Sequence, residues 1–187
     1  MLQMAVVYHS GYGHTEVVAK SVLEGVQKVA NIKAQLIKIS PQGEITADEW
    51  TALDNAHGII FGTPTYMGSA SGPFKMFMDA SSKPWFAQKW KNKIASGFTN
   101  SGGLSGDKLC TLTELVVLAM QHGMIWAGNA FLPTGNTHDD LNRVSSFVGL
   151  MTQSDNADAT KTPSGGDLKT AVAYGERVAQ VVVQWNK

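Results

Sequence analysis

Three segments rich in Gly, Ser and Thr each follow a short apolar run: SGYGHT at Ser10 to Thr15, TPTYMGSASG at Thr63 to Gly72, and TNSGG at Thr99 to Gly103. The first offers hydroxyls and backbone N–H groups where a helix begins, an arrangement that holds an anion without a fixed cation. The second joins a rigid Pro64 and a flat Tyr66 to small residues that let backbone approach a ligand. In a parallel α/β sheet, loops at the carboxyl ends of neighbouring strands line one crevice. The trio therefore suits a ligand that carries a phosphate and a flat ring.

Two better-known phosphate motifs fit less well. GYGHTE contains only the first two glycines of the dinucleotide fingerprint, with Thr15 near the third position, and LIKIS ends the second strand without the acid that would take a ribose. A P-loop needs a Lys followed by Ser or Thr at positions this loop does not fill. A tight turn with an ordinary helix cap remains open as the structural reading of the first loop taken alone.

The elements that must position these loops alternate. Met4 to Tyr8 is a continuous apolar run, as in a strand covered on both faces, and Val17, Val18, Val22 and Val26 recur at helical spacing after it. Ala34 to Ile39 reads as a second strand, and Thr46, Ala47 and Asp48 open a short helix through Leu53. GIIFG is a third strand, Pro73 to Ser82 a helix, Ile94 to Phe98 a fourth strand and Lys108 to Gln121 a helix. Met124 to Ala127 is a weak fifth strand, Thr134 to Gly166 a polar segment, and Leu168 to Trp185 a closing amphipathic helix. Alternation of this kind implies a parallel sheet with helices on both faces. The most distinctive loops follow the first and third strands, which meet at the switch point of the order 2-1-3-4-5; the expected fold is a flavodoxin-like three-layer α/β/α sandwich with a five-stranded parallel sheet, and a dinucleotide Rossmann domain is its rival.

At 187 residues and 43% hydrophobic content, without a linker-like stretch, the chain is expected to form one domain over residues 1–187. Fifteen acidic and fifteen basic residues leave no net charge to attract nucleic acid or an anionic membrane. The apolar runs are too short for a spanning helix, the first residues lack a basic head and cleavage site, and the lone Cys110 cannot form an internal disulfide, so a soluble cytoplasmic protein is expected. The five histidines show no metal-binding spacing; His138-Asp139-Asp140 reads as a polar loop and no metal is expected. Cys110 reads as a partly buried, inert thiol, and Lys75 and Asp79 as a solvated i, i+4 pair.

YHSGYGHTE, IIFGTPTYMGSASGPFKMFMD, FTNSGG and LAMQHGM, in that order and separation from Met4 to about Met124, resemble the WrbA-type NAD(P)H:quinone oxidoreductases. The resemblance implies FMN as cofactor, with Ser10, Gly11, Tyr12, Gly13, His14 and Thr15 around its phosphate. Pro64, Thr65, Tyr66, Met67, Gly68 and Ser69 would border the isoalloxazine, and Thr99, Asn100, Ser101, Gly102 and Gly103 would approach it from the opposite wall. It also implies a catalytic role for His122 beside the exposed flavin face, together with Tyr66, and a place for Trp85 in the pocket of a neighbouring subunit of a homodimer or homotetramer. Judged by their own surroundings, His122 reads as a helix-end residue and Trp85 as a half-buried anchor, while Trp90, which has no family counterpart, is assigned to packing.

The activity this implies is two-electron transfer from NADH or NADPH to FMN and then to a quinone, by a ping-pong mechanism with both substrates using one flavin face in turn. The alternative is a flavodoxin-type electron carrier that docks to proteins; zero net charge weighs against it, because transient docking is commonly steered by charge. Two departures stand out: the stretch from Ile39 to Ala56 is shorter than in typical members, and Tyr66 stands where an arginine is frequent, which removes a charge that would meet a nucleotide phosphate.

Overall fold

A computed structural model describes residues 1–187. Parallel strands β1 (Leu2–Tyr8), β2 (Ile32–Lys38), β3 (Gly58–Tyr66) and β5 (Ile94–Ser101) form the sheet with β6 (Ile125–Trp126) in the order β2-β1-β3-β5-β6, while the short β4 (Ser69–Ala70) folds back antiparallel on β3 and β7 (Leu150–Gln153) pairs with β5. The expected strand order is present, carried by seven strands rather than five.

The apolar runs of the central strands serve two cores at once, because successive side chains point to opposite faces. Ala5, Val7, Ile59 and Phe61 belong to one buried cluster, and Met4, Val6, Tyr8 and Ile60 to the other. The first cluster is covered by α2 (Ala47–Asn55), α3 (Gly72–Ala80) and α5 (Lys108–Gln121), through Leu53, Phe74, Phe77, Leu112 and Leu115; Trp90 is fully buried in it, as its packing assignment requires. The second is covered by α1 (His14–Gln27) and α6 (Gly165–Trp185), through Val18, Val22, Tyr174 and Val178. The short α4 (Ser82–Phe86) follows α3 directly. A capping box between Thr46 and Glu49 starts α2, and Pro73 sits in the first turn of α3, where its missing N–H has no partner to lose.

The fifth strand position departs from expectation in an informative way. β6 pairs with Ile94 and Ala95, the chain leaves the sheet over residues 128–149, and β7 returns to the same edge beside Phe98 to Ser101. The base of this excursion is closed by Asn129, whose backbone N–H donates to Phe147 O and whose Nδ2 donates to Ser146 O, both at 2.9 Å. A Cβ on Gly149 would stand 2.5 Å from Gly97 O, so only glycine lets the returning chain lie this close to β5. LMTQ is too short and too polar to read as a strand, hence the expectation of an unbroken polar segment from Thr134 to Gly166.

Cys110 is exposed rather than partly buried. The buried stripe of α5 runs through Thr111, Leu112, Leu115, Leu118 and Ala119, and position 110 falls on the opposite side. Lys75 and Asp79 form the expected exposed pair at 2.6 Å. No helix is long and apolar enough to cross a membrane.

α1 and α6 approach so closely that a Cβ on Gly175 would lie 2.0 Å from Val22 O, and one on Gly25 would lie 1.9 Å from Val172 O. Gly175→Ala is therefore predicted to destabilise the fold by about 1–3 kcal/mol despite alanine's higher helix propensity. Urea denaturation checks this, and an unchanged or raised midpoint would contradict the packing described.

Candidate functional site

The carboxyl ends of β1, β3, β5 and β7 converge on a cavity of about 570 Å3. Tyr12, His14 and Thr15 line it from the first loop, Pro64, Thr65 and Tyr66 from the end of β3, and Asn100, Ser101 and Gly102 from the end of β5. A fourth wall, Ser154 to Ala159, arrives on β7 and was not expected from the sequence. The run SDNADA carries no recognisable motif; its only sequence signal would have been that any strand added beside β5 delivers its loop to this same end.

The first loop is organised around Ser10, whose Oγ accepts from the backbone N–H groups of Gly13 (3.1 Å) and Glu16 (3.2 Å). Gly13 takes φ 90°, a left-handed turn that leads directly into α1. The backbone N–H groups of His14 and Thr15, in the first turn of α1, make no hydrogen bond within the chain. Two amides at the positive end of a 14-residue helix are thus free to donate to an anion. His14 Nε2–H donates to Ala157 O at 2.8 Å, and a Cβ on Gly13 would lie 3.1 Å from Ala159 Cβ, so the fourth wall is fastened directly to this loop.

The second loop is pinned from behind. Ser71 N–H donates to Thr63 Oγ1 at 3.1 Å, and Ser71 Oγ lies 2.8 Å from His9 Nδ1. Thr65 Oγ1 meets Thr99 Oγ1 at 2.8 Å and Thr111 Oγ1 at 2.7 Å, tying β3 to β5 and α5. Tyr66 leans over the first loop: its ring meets that of Tyr12 edge-on at 6.1 Å, and its hydroxyl stands where a Cβ on Gly11 would come within 2.6 Å. Burial, and then proximity to Tyr12, raise the Tyr66 pKa, although the Gly11 amide opposes the rise. Tyr66 is therefore a protonated donor at neutral pH. Met67, at φ 49°, and Gly68, at φ 78°, form the exposed tip of the turn, and Ser69 donates to Glu114 on α5 at 2.8 Å rather than lining the cavity.

On the third wall, Asn100 Oδ1 accepts from Thr152 Oγ1 (2.8 Å) and Ser154 Oγ (3.0 Å). With its oxygen engaged by two hydroxyls, its Nδ2 is left as an unpartnered donor on a residue that lines the cavity. Behind this wall a buried ion pair joins the excursion to α6. Arg143 Nε and Nη2 donate to the two carboxylate oxygens of Asp167 at 2.9 and 3.0 Å, and Nη2 also reaches Gln153 Oε1 at 2.9 Å. Gln153 Nε2 in turn donates to Gly102 O at 2.9 Å. Gly103 does not line the cavity but accepts from Lys108.

The structure does not bring His122 or Trp85 to this cavity. Both line a separate hollow of about 360 Å3 with Lys75, Ser81 and Gln121. A crossover helix carries the chain from the carboxyl to the amino edge of a parallel sheet, so a residue at the end of α5 lies at the far end from the cavity, a consequence already contained in the alternation of elements. His122 is buried, stacks on Trp90 at 4.2 Å and shares a hydrogen bond with Ser81 through Nε2 at 2.9 Å, while Nδ1 has no partner.

Burial pushes the His122 pKa down from 6.5 to about 4, with Asp54 opposing weakly. The folded chain keeps this imidazole neutral while the unfolded chain takes up a proton, so stability conferred above pH 6.5 is lost as the pH falls toward 4. His122→Gln is predicted to lose less stability than the wild type between pH 7 and pH 4, by up to about 3 kcal/mol at the shift's full expression. Urea midpoints at both pH values check this; equal losses in the two proteins would contradict it.

The family of NADPH-dependent FMN reductases matches this chain over residues 9–139. Flavodoxin FldP of Pseudomonas aeruginosa (strain UCBPP-PA14) is 43% identical over 185 residues, covering 97% of each chain. A flavodoxin, WrbA-like protein from Agrobacterium tumefaciens superposes with a TM-score of 0.81 at 46% identity, covering 98% of this chain and 99% of that one. A flavodoxin from the domain Archaea shares the fold, with a TM-score of 0.66 at 21% identity over 97% of this chain and 99% of the other.

Proposed function

The chain belongs to the NADPH-dependent FMN reductase family, with FMN as cofactor in a flavodoxin-like fold, and on that premise we propose that it passes two electrons from NADPH or NADH to a quinone in two successive half-reactions. The observation that carries this reading is one cavity of about 570 Å3 that is lined by the start of a helix with two open amides and by the ends of β3 and β5.

In this reading the amides of His14 and Thr15 hold the FMN phosphate, and Ser10, Gly11 and Gly13 keep their loop in the conformation that exposes them. Tyr12 and Tyr66 flank the phosphate end, where Tyr66 donates as a neutral phenol. Pro64, Thr65 and Tyr66 form one side of the ring site, and Asn100, Ser101 and Gly102 form the other. Asn100 Nδ2 offers a hydrogen bond to a ring carbonyl or nitrogen. Bound FMN supplies the two-electron chemistry, and the chain's own residues orient it and exclude water from one of its faces. Trp85 and His122, at the far end of the sheet, reach a flavin only if a second copy presents that end to the cavity, which is the arrangement we propose for a homodimer or homotetramer.

A second reading is a flavodoxin-type electron carrier. The name of the Pseudomonas relative and the exposed side chains of Tyr12 and Met67 beside the cavity favour it.

Anaerobic titration separates the two. Protein loaded with FMN is predicted to bleach on adding NADPH or NADH and to regain its colour with benzoquinone. Bleaching only through a partner reductase would favour the carrier, and a chain that takes up no FMN would refute both. Asn100→Ala is predicted to weaken FMN binding about tenfold, the equivalent of one hydrogen bond of about 1.4 kcal/mol. An unchanged Kd by fluorescence quenching would remove Asn100 from the site.

A further inference from the structure

Lys108 opens α5, yet its side chain is fully buried. A cation at a helix N-terminus opposes the helix dipole, and a buried one also loses its hydration, so the position is unfavourable twice over. Its ammonium turns back under the third wall of the cavity. Nζ donates to Ser101 Oγ at 3.0 Å, to Leu104 O at 2.9 Å and to Gly103 O. All three acceptors are neutral, so the charge is solvated by the turn and not cancelled by a carboxylate. Asp167 lies near enough to favour the charged form but is engaged by Arg143 on both oxygens. The buried group of Lys108, Arg143 and Asp167 therefore carries one net positive charge in a chain whose formal net charge is zero. Burial draws the Lys108 pKa down to about 8, which still leaves it mostly protonated at pH 7.

That charge stands one residue behind the cavity lining, since Ser101, its direct partner, and Gly102 both line the site. Asp155, whose Oδ1 shares the Gln153 Nε2 donor with Gly102 O, and Asp158 line the cavity from the neighbouring wall, but both are solvent-exposed, where water and salt screen them more strongly than they screen a buried ammonium. Reduction adds negative charge to a flavin ring, and a fixed cation nearby favours the reduced form. Resting on the flavin reading above, we propose that Lys108 is a positioning residue of the flavin site: its buried ammonium shapes the 101–104 turn and, through that turn, raises the reduction potential of the bound flavin.

The two parts of this role separate in Lys108→Gln, which retains N–H donors for the carbonyls and removes the charge. The midpoint potential of bound FMN, measured by spectroelectrochemistry at pH 7, is expected to fall by about 30 mV in this variant. This corresponds to reduced FMN losing about tenfold more affinity than oxidised FMN. Lys108→Met removes both charge and donors and is expected to lower the potential at least as far, with weaker binding of both forms. Equal weakening of the oxidised and reduced forms in both variants, or an unchanged potential, would leave Lys108 a structural cap and overturn the proposal. Wild-type protein that takes up no FMN would instead overturn the flavin reading itself. Should Lys108→Met fail to fold, the Gln variant alone decides the matter.

Discussion

The side-chain oxygen of Asn100 is the point on which the site depends. By accepting from the hydroxyls of Thr152 and Ser154, it fixes the end of the returning strand β7 against the end of β5. The fourth wall thereby reaches the first loop, where His14 holds Ala157. The Asn100 tie works together with the backbone pairing of β7 on β5, the Ser154 N–H that donates to Ser101 O and the Gln153 side chain on Gly102 O, and it is the one of these ties made by a side chain that also lines the cavity. One buried hydrogen-bonded side chain contributes only about 0.5–1.5 kcal/mol to stability. Its structural leverage is larger, because it helps to set where an entire loop lies.

The broken fifth strand follows from the same requirement. An unbroken strand of ordinary length would place its loop at the carboxyl edge, but the excursion over residues 128–149 would be lost, and with it Arg143. That arginine links Asp167 at the start of α6 to Gln153, and Gln153 reaches Gly102. A buried ion pair is a weak source of net stability, since desolvation offsets much of its attraction, but removing one partner leaves a costly lone charge. Its effect here is to hold the wall from behind with groups of fixed geometry. The glycine contact between Gly149 and Gly97 O lets the chain come back close enough for this to work.

Much of this was legible in the amino-acid sequence, for identifiable reasons. Doubly covered strands such as Val6–Tyr8 and Ile59–Phe61 read as continuous apolar runs, and α5 occupies Lys108–Gln121 as its periodicity predicted. The three loops fall at one end of the sheet because alternation forces the parallel order, so the sequence alone groups Tyr12, His14, Pro64, Tyr66, Asn100 and Ser101, which line one cavity. Two things were not legible. β7 is four residues long with a polar second half, and its partner is chosen by Gly149 and Asn100 at long range rather than by its own pattern. The inward turn of Lys108 was hidden because a lysine in the first turn of a helix ordinarily points to water. His122, whose place beside a flavin comes from the family resemblance and not from its own surroundings, lies at the amino edge of its own sheet, as the direction of a crossover helix implies.

Amide hydrogen exchange followed with and without FMN tests most directly whether four separate segments make one flavin site. The account predicts that saturating FMN slows exchange in residues 10–15, 63–68, 99–103 and 154–159 together, while the hollow around His122 and Trp85 is unchanged in the monomeric chain. Protection that omits 154–159, or that centres on the far end of the sheet, would contradict it.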